Sequence, residues 1–214
     1  HHACERALDD LDLAAAGGDW RVRFKHDEHG ALVPDRLDPV RDFVPEVGGL
    51  VDDPALVALA GLVAGFPCAA YKERFIPKRP GTDGFVVHQD LAYHWHVIAG
   101  AADAVQVIIG LGRCDETNGA LEVAVGRHDR LLTAPLVEED PPPDVLAEAD
   151  YETLVLHPGD VAFVHLLLPH RSPRNAGLEA RPTLAAFYTH AADTAARSRY
   201  YDGYARRSLA HPLR

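Results

Sequence analysis

The chain reads as a mainly β protein, a sandwich or barrel flanked by helices at both ends. Three features predict this. From residue 68 onward, short apolar segments are bounded by Gly, Pro, Asn and Asp, the punctuation of an all-β layout. Helical spacing of Leu and Ala is confined to the first 65 residues and to the tail. No period of 20–50 residues runs through the chain, which argues against a repeat solenoid.

The elements follow in order. CERALDDLDLAAAGG spaces its Leu and Ala for a helix that stops at Gly17 and Gly18. Residues 19–50 are mixed, punctuated by Pro34, Pro39 and Pro45. DPALVALAGLVAG predicts a helix with Asp53 as N-cap, Pro54 in the first position and Gly65 at the end. AAYKERFIP, FVVHQDL, AVQVIIGLGRC and GALEVAVG predict strands, the last two separated by the turn cluster Asp115 to Asn118. The acidic, Pro-rich stretch VEEDPPPDVLAEAD is expected to be a surface loop. YETLVL, DVAFVHLLL and RPTLAAFYTH complete the strands, and ADTAARSRYYDGYARRSLA predicts a closing helix.

Length and composition bound the function. With 214 residues, 47% apolar and 25% charged, the chain is expected to form a single domain over 1–214, its core near 68–190. A net charge of −11 argues against nucleic acid, whose phosphates need Lys and Arg. An anionic membrane surface is disfavoured for the same reason. No apolar run is long enough to span a bilayer and no secretory signal opens the chain. Cys4, Cys68 and Cys114 are odd in number and far apart, which fits a reducing, cytoplasmic setting without a disulfide framework.

Four side chains carry the chemistry. His88 and Asp90 stand two apart on a predicted strand, so both are expected on one face. His170 follows a later strand, with His165 as a competitor inside it, and Arg181 opens the next. Two His and one carboxylate can hold Fe(II) and leave one side of the metal open. An Arg nearby can clamp a 2-oxoacid by paired hydrogen bonds. Locally, His-x-Asp is weak evidence: a chain this rich in His and Asp holds about one such triplet by chance, and a surface hydrogen-bonded pair is the plainer reading.

The ordered combination is more specific. AYKERFIPKRPG, VVHQDLAYHW, ETNGALEVAVGRH, LHPGDVAFVHLLLPHRSPRN and an Arg eleven residues after His170 together resemble the phytanoyl-CoA dioxygenase superfamily of Fe(II)/2-oxoglutarate-dependent oxygenases. The resemblance covers residues 68–204, with Val125 where the family has Pro. It implies a double-stranded β-helix, a jelly roll like the cupin barrel. It implies Fe(II) at His88, Asp90 and His170, and the distal carboxylate of 2-oxoglutarate at Arg181, with O2 as cosubstrate. Ser172 and Thr183 flank that path. Gln106 is either a cosubstrate contact or an ordinary strand residue, and Asn118 is expected to serve turn geometry. The carboxylate at Asp90 disfavours halogenation, for which relatives carry a small residue there. The implied reaction is oxidation of an unactivated C–H bond of a small molecule by hydroxylation, or by cyclisation or epimerisation. A polar metabolite or a natural-product intermediate is the expected substrate.

Substrate contacts are less determined. Tyr93 and Trp95 follow the ligands and are expected to form a pocket wall. Alternation puts Lys72, Arg74 and Ile76 on one face of their strand and Tyr71, Glu73 and Phe75 on the other. Facing inward, Lys72 and Arg74 would hold an anion; a solvated edge is the preferred expectation. Rival readings are a cupin-type metal protein using His94-Trp95-His96, which lacks the Glu that follows in cupins, a non-catalytic jelly-roll binding module, against which the complete four-residue set argues, and a zinc hydrolase, which leaves Arg181 unexplained.

Overall fold

The computed structural model describes residues 2–11, 19–27, 29–98, 100, 103–132 and 150–210. The expected acidic loop falls almost wholly outside them, as do residues 12–18 of the first expected helix. What is described of that helix is α1 (His2–Asp9), which buries Cys4 and Leu8. The mixed stretch 19–50 holds a hairpin, β1 (Val22–His26) and β2 (Leu32–Leu37), and a helix, α2 (Pro45–Val51). Helix α3 (Pro54–Ala64) forms as its ends dictate. The Asp53 carboxylate accepts from Ala55 N at 2.8 Å and Leu56 N at 3.4 Å, and Gly65 closes the helix at a φ of 83°.

The strands that follow are β3 (Cys68–Ile76), β4 (Phe85–His88), β5 (Ala104–Gly110), β6 (Glu122–Val123), β7 (Glu152–Thr153), β8 (Val161–His165), β9 (His170–Ser172) and β10 (Thr183–His190). A single helical turn, α4 (Leu91–His94), follows β4, and α5 (Ala196–Ala210) closes the described chain. Six strands form one sheet in the order β1-β2-β3-β10-β5-β8, and four form a second in the order β4-β9-β6-β7. The architecture is a double-stranded β-helix whose sheets do not close into a barrel.

The larger sheet separates two environments. On its outer face Phe75, Leu184, Ala186, Val107 and Ile109 share a core with Val47, Val51, Leu56 and Ala60 of α2 and α3. On its inner face the cross-strand rows are Lys72–Phe187–Gln106, Arg74–Ala185–Ile108 and Ile76–Thr183–Gly110. The expected solvated edge for Lys72 and Arg74 is therefore wrong. Lys72 is buried and Arg74 half-buried on the face opposite the helix-packed core, so the face carrying these cations is interior. A register shift at Phe187/Tyr188 also moves Tyr71 off the face of Glu73 and Phe75, into a cluster with Phe187 and Tyr200.

The smaller sheet carries the ligand candidates. Strands β4 and β9 pair with His88 directly opposite His170. Gly84 permits their approach: a Cβ there would stand 1.8 Å from the Ser172 carbonyl oxygen.

Candidate metal and oxoacid site

His88 ends β4 and His170 begins β9, so backbone pairing alone sets their rings 4.2 Å apart. Each ring is fixed by its own strand. His88 Nδ1 donates to the Val86 carbonyl at 2.8 Å, and His170 Nδ1 donates to the Leu168 carbonyl at 2.9 Å. With the proton on Nδ1, both Nε2 atoms present lone pairs to the interior, the tautomer a metal ligand needs. Burial, reinforced by His170, pushes the His88 pKa down to about 3, so the ring stays neutral.

Asp90 reaches the same point by a different route from the one expected. The strand stops at His88, and Asp90 has helical backbone (φ −59°, ψ −31°) at the start of α4. A turn, not strand alternation, brings its carboxylate round. That carboxylate caps no helical N–H, and its Oδ2 lies 3.7 Å from His170 Nε2. The candidate ligand atoms of His88, Asp90 and His170 all fall within 4.8 Å of one another. Asp90 is buried, yet Oδ2 has no hydrogen-bond partner. Burial alone would raise its pKa, but the surrounding His170, Arg74, His88 and His94 hold it well below the usual carboxylate range. An ionised, buried, unbonded carboxylate oxygen beside two imidazole lone pairs is a donor set that fits a divalent cation.

Gln89, between the two ligands, passed unnoticed in the sequence. Its amide donates to the Arg130 and Leu167 carbonyls at 2.9 and 2.6 Å and accepts from Leu132 N at 2.7 Å. It thereby fixes the turn carrying Asp90 to two neighbouring segments. Its position inside the H-x-D triplet was the available signal.

A second polar feature lies where β9 and β10 begin. Arg181 is buried with Nε unpartnered, and its guanidinium reaches Thr183 Oγ1 at 3.4 Å. Burial lowers its pKa, a strain that a bound anion relieves. Beside it, buried Lys78 donates to Ser172 Oγ at 2.7 Å and to the Pro173 carbonyl. Its pKa falls to about 7, from burial first and from Arg181 second. Lys78 takes a φ of 38°, and its carbonyl receives the Arg181 and Asn175 N–H groups at 3.1 and 2.8 Å. Two buried cations with no carboxylate bonded to either among the described residues make a candidate anion site. Sequence reasoning put Lys78 only in the AYKERFIPKRPG stretch that borders the pocket in relatives, without assigning it to the oxoacid end.

The remaining expected residues separate. Ser172 and Thr183 sit with Arg181 as expected. Gln106 faces the interior with Oε1 unpartnered, but on the row of Lys72 and Phe187, about 13 Å along the strand from the Thr183 row. Half-buried Tyr93 places its ring 6.2 Å from that of His88, and Trp95 packs against the cluster that contains Leu91, Phe187 and Tyr200. Asn118 caps the turn from Asp115, with Nδ2 donating to the Arg113 carbonyl at 2.8 Å. The adjoining Gly119 (φ 71°) lets that turn close on Lys78, since a Cβ there would meet Lys78 Cε at 2.9 Å. His165 is exposed, outside the ligand cluster. His94 spends both ring nitrogens, Nδ1 on Tyr71 Oη at 2.5 Å and Nε2 on Lys72 Nζ at 3.3 Å. That leaves no lone pair for the cupin-type reading.

Comparison with known proteins places the chain among relatives. A methylphosphonate hydroxylase from Gimesia maris is 27% identical over 182 residues, which are 85% of this chain and 68% of that protein. A 2-aminoethylphosphonate dioxygenase from an uncultured bacterium is 22% identical over 191 residues, 87% of this chain and 71% of that one. Among solved structures, EctD from S. alaskensis with 2-oxoglutarate and 5-hydroxyectoine superposes with a TM-score of 0.72 at 22% identity, covering 89% of this chain and 66% of EctD. The 2-oxoglutarate-dependent carbocyclase SnoK from nogalamycin biosynthesis gives 0.71 at 20% identity, covering 89% and 73%. These two structures share the fold, and the chain spans about two thirds of EctD's length. The phytanoyl-CoA dioxygenase (PhyH) family model matches residues 6–183. The chain belongs to the phytanoyl-CoA dioxygenase family.

Proposed function

We propose that this chain is an Fe(II)- and 2-oxoglutarate-dependent oxygenase acting on an unactivated C–H bond of a small polar metabolite. The observation that carries this reading is the pairing of two unsatisfied features in one interior. Among the described residues the His88–Asp90–His170 donors converge without a partner for Asp90 Oδ2, and Arg181 with Lys78 forms a cationic end with no bonded carboxylate. His88, Asp90 and His170 would hold the iron, leaving positions open for cosubstrate and O2. Arg181, Lys78 and Ser172 would hold the distal carboxylate of 2-oxoglutarate, fixing its oxoacid end toward the metal. Iron with oxoglutarate and O2 supplies the oxidant for C–H chemistry.

The residues of the chain do the rest. The backbone carbonyls of Val86 and Leu168 hold the imidazoles in one tautomer, and Gln89 holds the Asp90 turn. Phe187, Tyr71 and Tyr200 line the interior with aromatic rings that exclude water. The carboxylate at Asp90 occupies the position a halide would need, which favours hydroxylation over halogenation. The two curated relatives are named for small phosphonates, and we extend a small-molecule substrate of similar polarity to this chain. Cys4, Cys68 and Cys114 are buried free thiols, which suits a reducing compartment. Among the described residues no single helix is long and apolar enough to cross a membrane.

Succinate formation tests the reading. With Fe(II), oxoglutarate and O2, succinate is expected to accumulate, and to rise several-fold when a small polar substrate is added. Absence of succinate under all these conditions would refute it.

A further inference from the structure

The inner face of β3 carries charge that the metal and oxoacid roles leave unused. Lys72 is 3% exposed, and Arg74, half-buried, follows two residues later on the same interior face. Among the described residues Arg74 has no hydrogen-bond or ion-pair partner, and its Nε is buried. Its guanidinium carbon lies 5.7 Å from the Phe187 ring centre, a contact that does not use the N–H donors. Lys72 is held more firmly. Its ammonium stands 4.6 Å from the Phe187 and Tyr200 ring centres, 3.3 Å from His94 Nε2 and 3.9 Å from Asp38 Oδ2. The His94 contact takes one of its three donors, and Asp38 balances part of its charge.

These groups border the metal candidates. Arg74 is among the charges that hold Asp90 low and His88 neutral, and His94 begins one turn after Asp90. They are also distinct from the oxoacid end. Arg74 lies on the Ala185 row and Lys72 on the Phe187 row, while Arg181 and Lys78 sit beyond the Thr183 row. On this inner face the guanidinium of Arg74 keeps its N–H donors available to an anion.

We propose, resting on the oxygenase reading, that Arg74 and Lys72 form the substrate's recognition site for a compact tetrahedral dianion, the phosphonate or phosphate-monoester class. One feature favours this group over a carboxylate, and a second fits either. Two cations set about 7 Å apart along a strand can each be met by different oxygens of a three-oxygen group. The guanidinium fork matches paired oxygens, and the Lys72 ammonium serves as a point charge beside it. His94 and Tyr71 position Lys72, and Phe187 supplies the floor under both cations.

Calorimetric titration tests this, using the Fe(II)-loaded protein under nitrogen with saturating oxoglutarate. The probes are methylphosphonate, methyl phosphate and acetate. Methylphosphonate or methyl phosphate is expected to bind at least about 10-fold more tightly than acetate, from the added charge-assisted hydrogen bonds. Which of the two binds better tells phosphonate from phosphate ester. Arg74→Met should weaken the tighter probe by about 10- to 100-fold while oxoglutarate affinity is retained. Arg181→Met should show the reverse pattern. Should Arg74→Met fail to fold, Arg74→Gln gives the same reading. Unchanged probe affinity in the folded Arg74 variant would overturn the proposal, as would acetate binding equal to that of both dianions, or displacement of oxoglutarate by the probe. Wild-type protein that takes the probe but never oxoglutarate would instead refute the oxygenase reading and leave the anion site standing.

Discussion

Arg181→Met is expected to weaken oxoglutarate binding by about 100-fold while metal stays bound. The guanidinium is buried, its Nε has no partner, and Thr183 Oγ1 is the neighbour that orients it. Removing it deletes a paired, charge-assisted contact and leaves Lys78 as the remaining cation at that end. Methionine keeps the volume and the apolar stem, so the fold should survive. Isothermal titration with oxoglutarate reads the effect, and metal content measured on the same sample separates it from loss of iron. Loss of metal in this variant would mean that Arg181 supports the ligand set and not the cosubstrate. Lys78→Met is expected to shift in the same direction by a smaller factor, because Lys78 already spends two donors on Ser172 and Pro173.

His170→Ala and Asp90→Ala are each expected to lower iron affinity by more than about 100-fold, since losing even an outer partner of a ligand costs 10- to 100-fold. Thermal stability gives a readout independent of turnover. A ligand that binds the folded state raises the melting temperature. Fe(II) under nitrogen should therefore stabilise the wild type and leave both variants unmoved. Gln89→Ala belongs to the same series at reduced size: it removes three hydrogen bonds that hold the Asp90 turn, and no ligand atom.

Some of this was legible in the sequence and some was not, for identifiable reasons. Helix α3 was readable because its signals are local: Asp53, Pro54 and Gly65 act within one turn of themselves. His88, Asp90, His170 and Arg181 were readable as a spaced set in context, and His88 and His170 meet because β4 and β9 pair at that register. The geometry at Asp90 was not, since a two-residue spacing reads the same in a strand and in a strand that turns into a helix. The direction of Lys72 and Arg74 was also hidden. Alternation shows that they share a face, but only the long-range packing of the second sheet and α5 against β3 buries that face. Tyr71 was misplaced by one bulge, which alternation cannot foresee. GALEVAVG, expected as a full strand, contributes two residues, Glu122 and Val123, because the Asn118–Gly119 turn packed on Lys78 takes the start of the segment.

The central claim is that one interior holds iron and oxoglutarate together, each on its own set of residues. Anaerobic titration of the protein with Fe(II), followed by oxoglutarate, tests it most directly by visible absorption. A weak charge-transfer band that appears only when both are present, and that is lost in His170→Ala and weakened in Arg181→Met, is the predicted result. No band at saturating iron and oxoglutarate, with no oxoglutarate-dependent rise in melting temperature, would contradict the account.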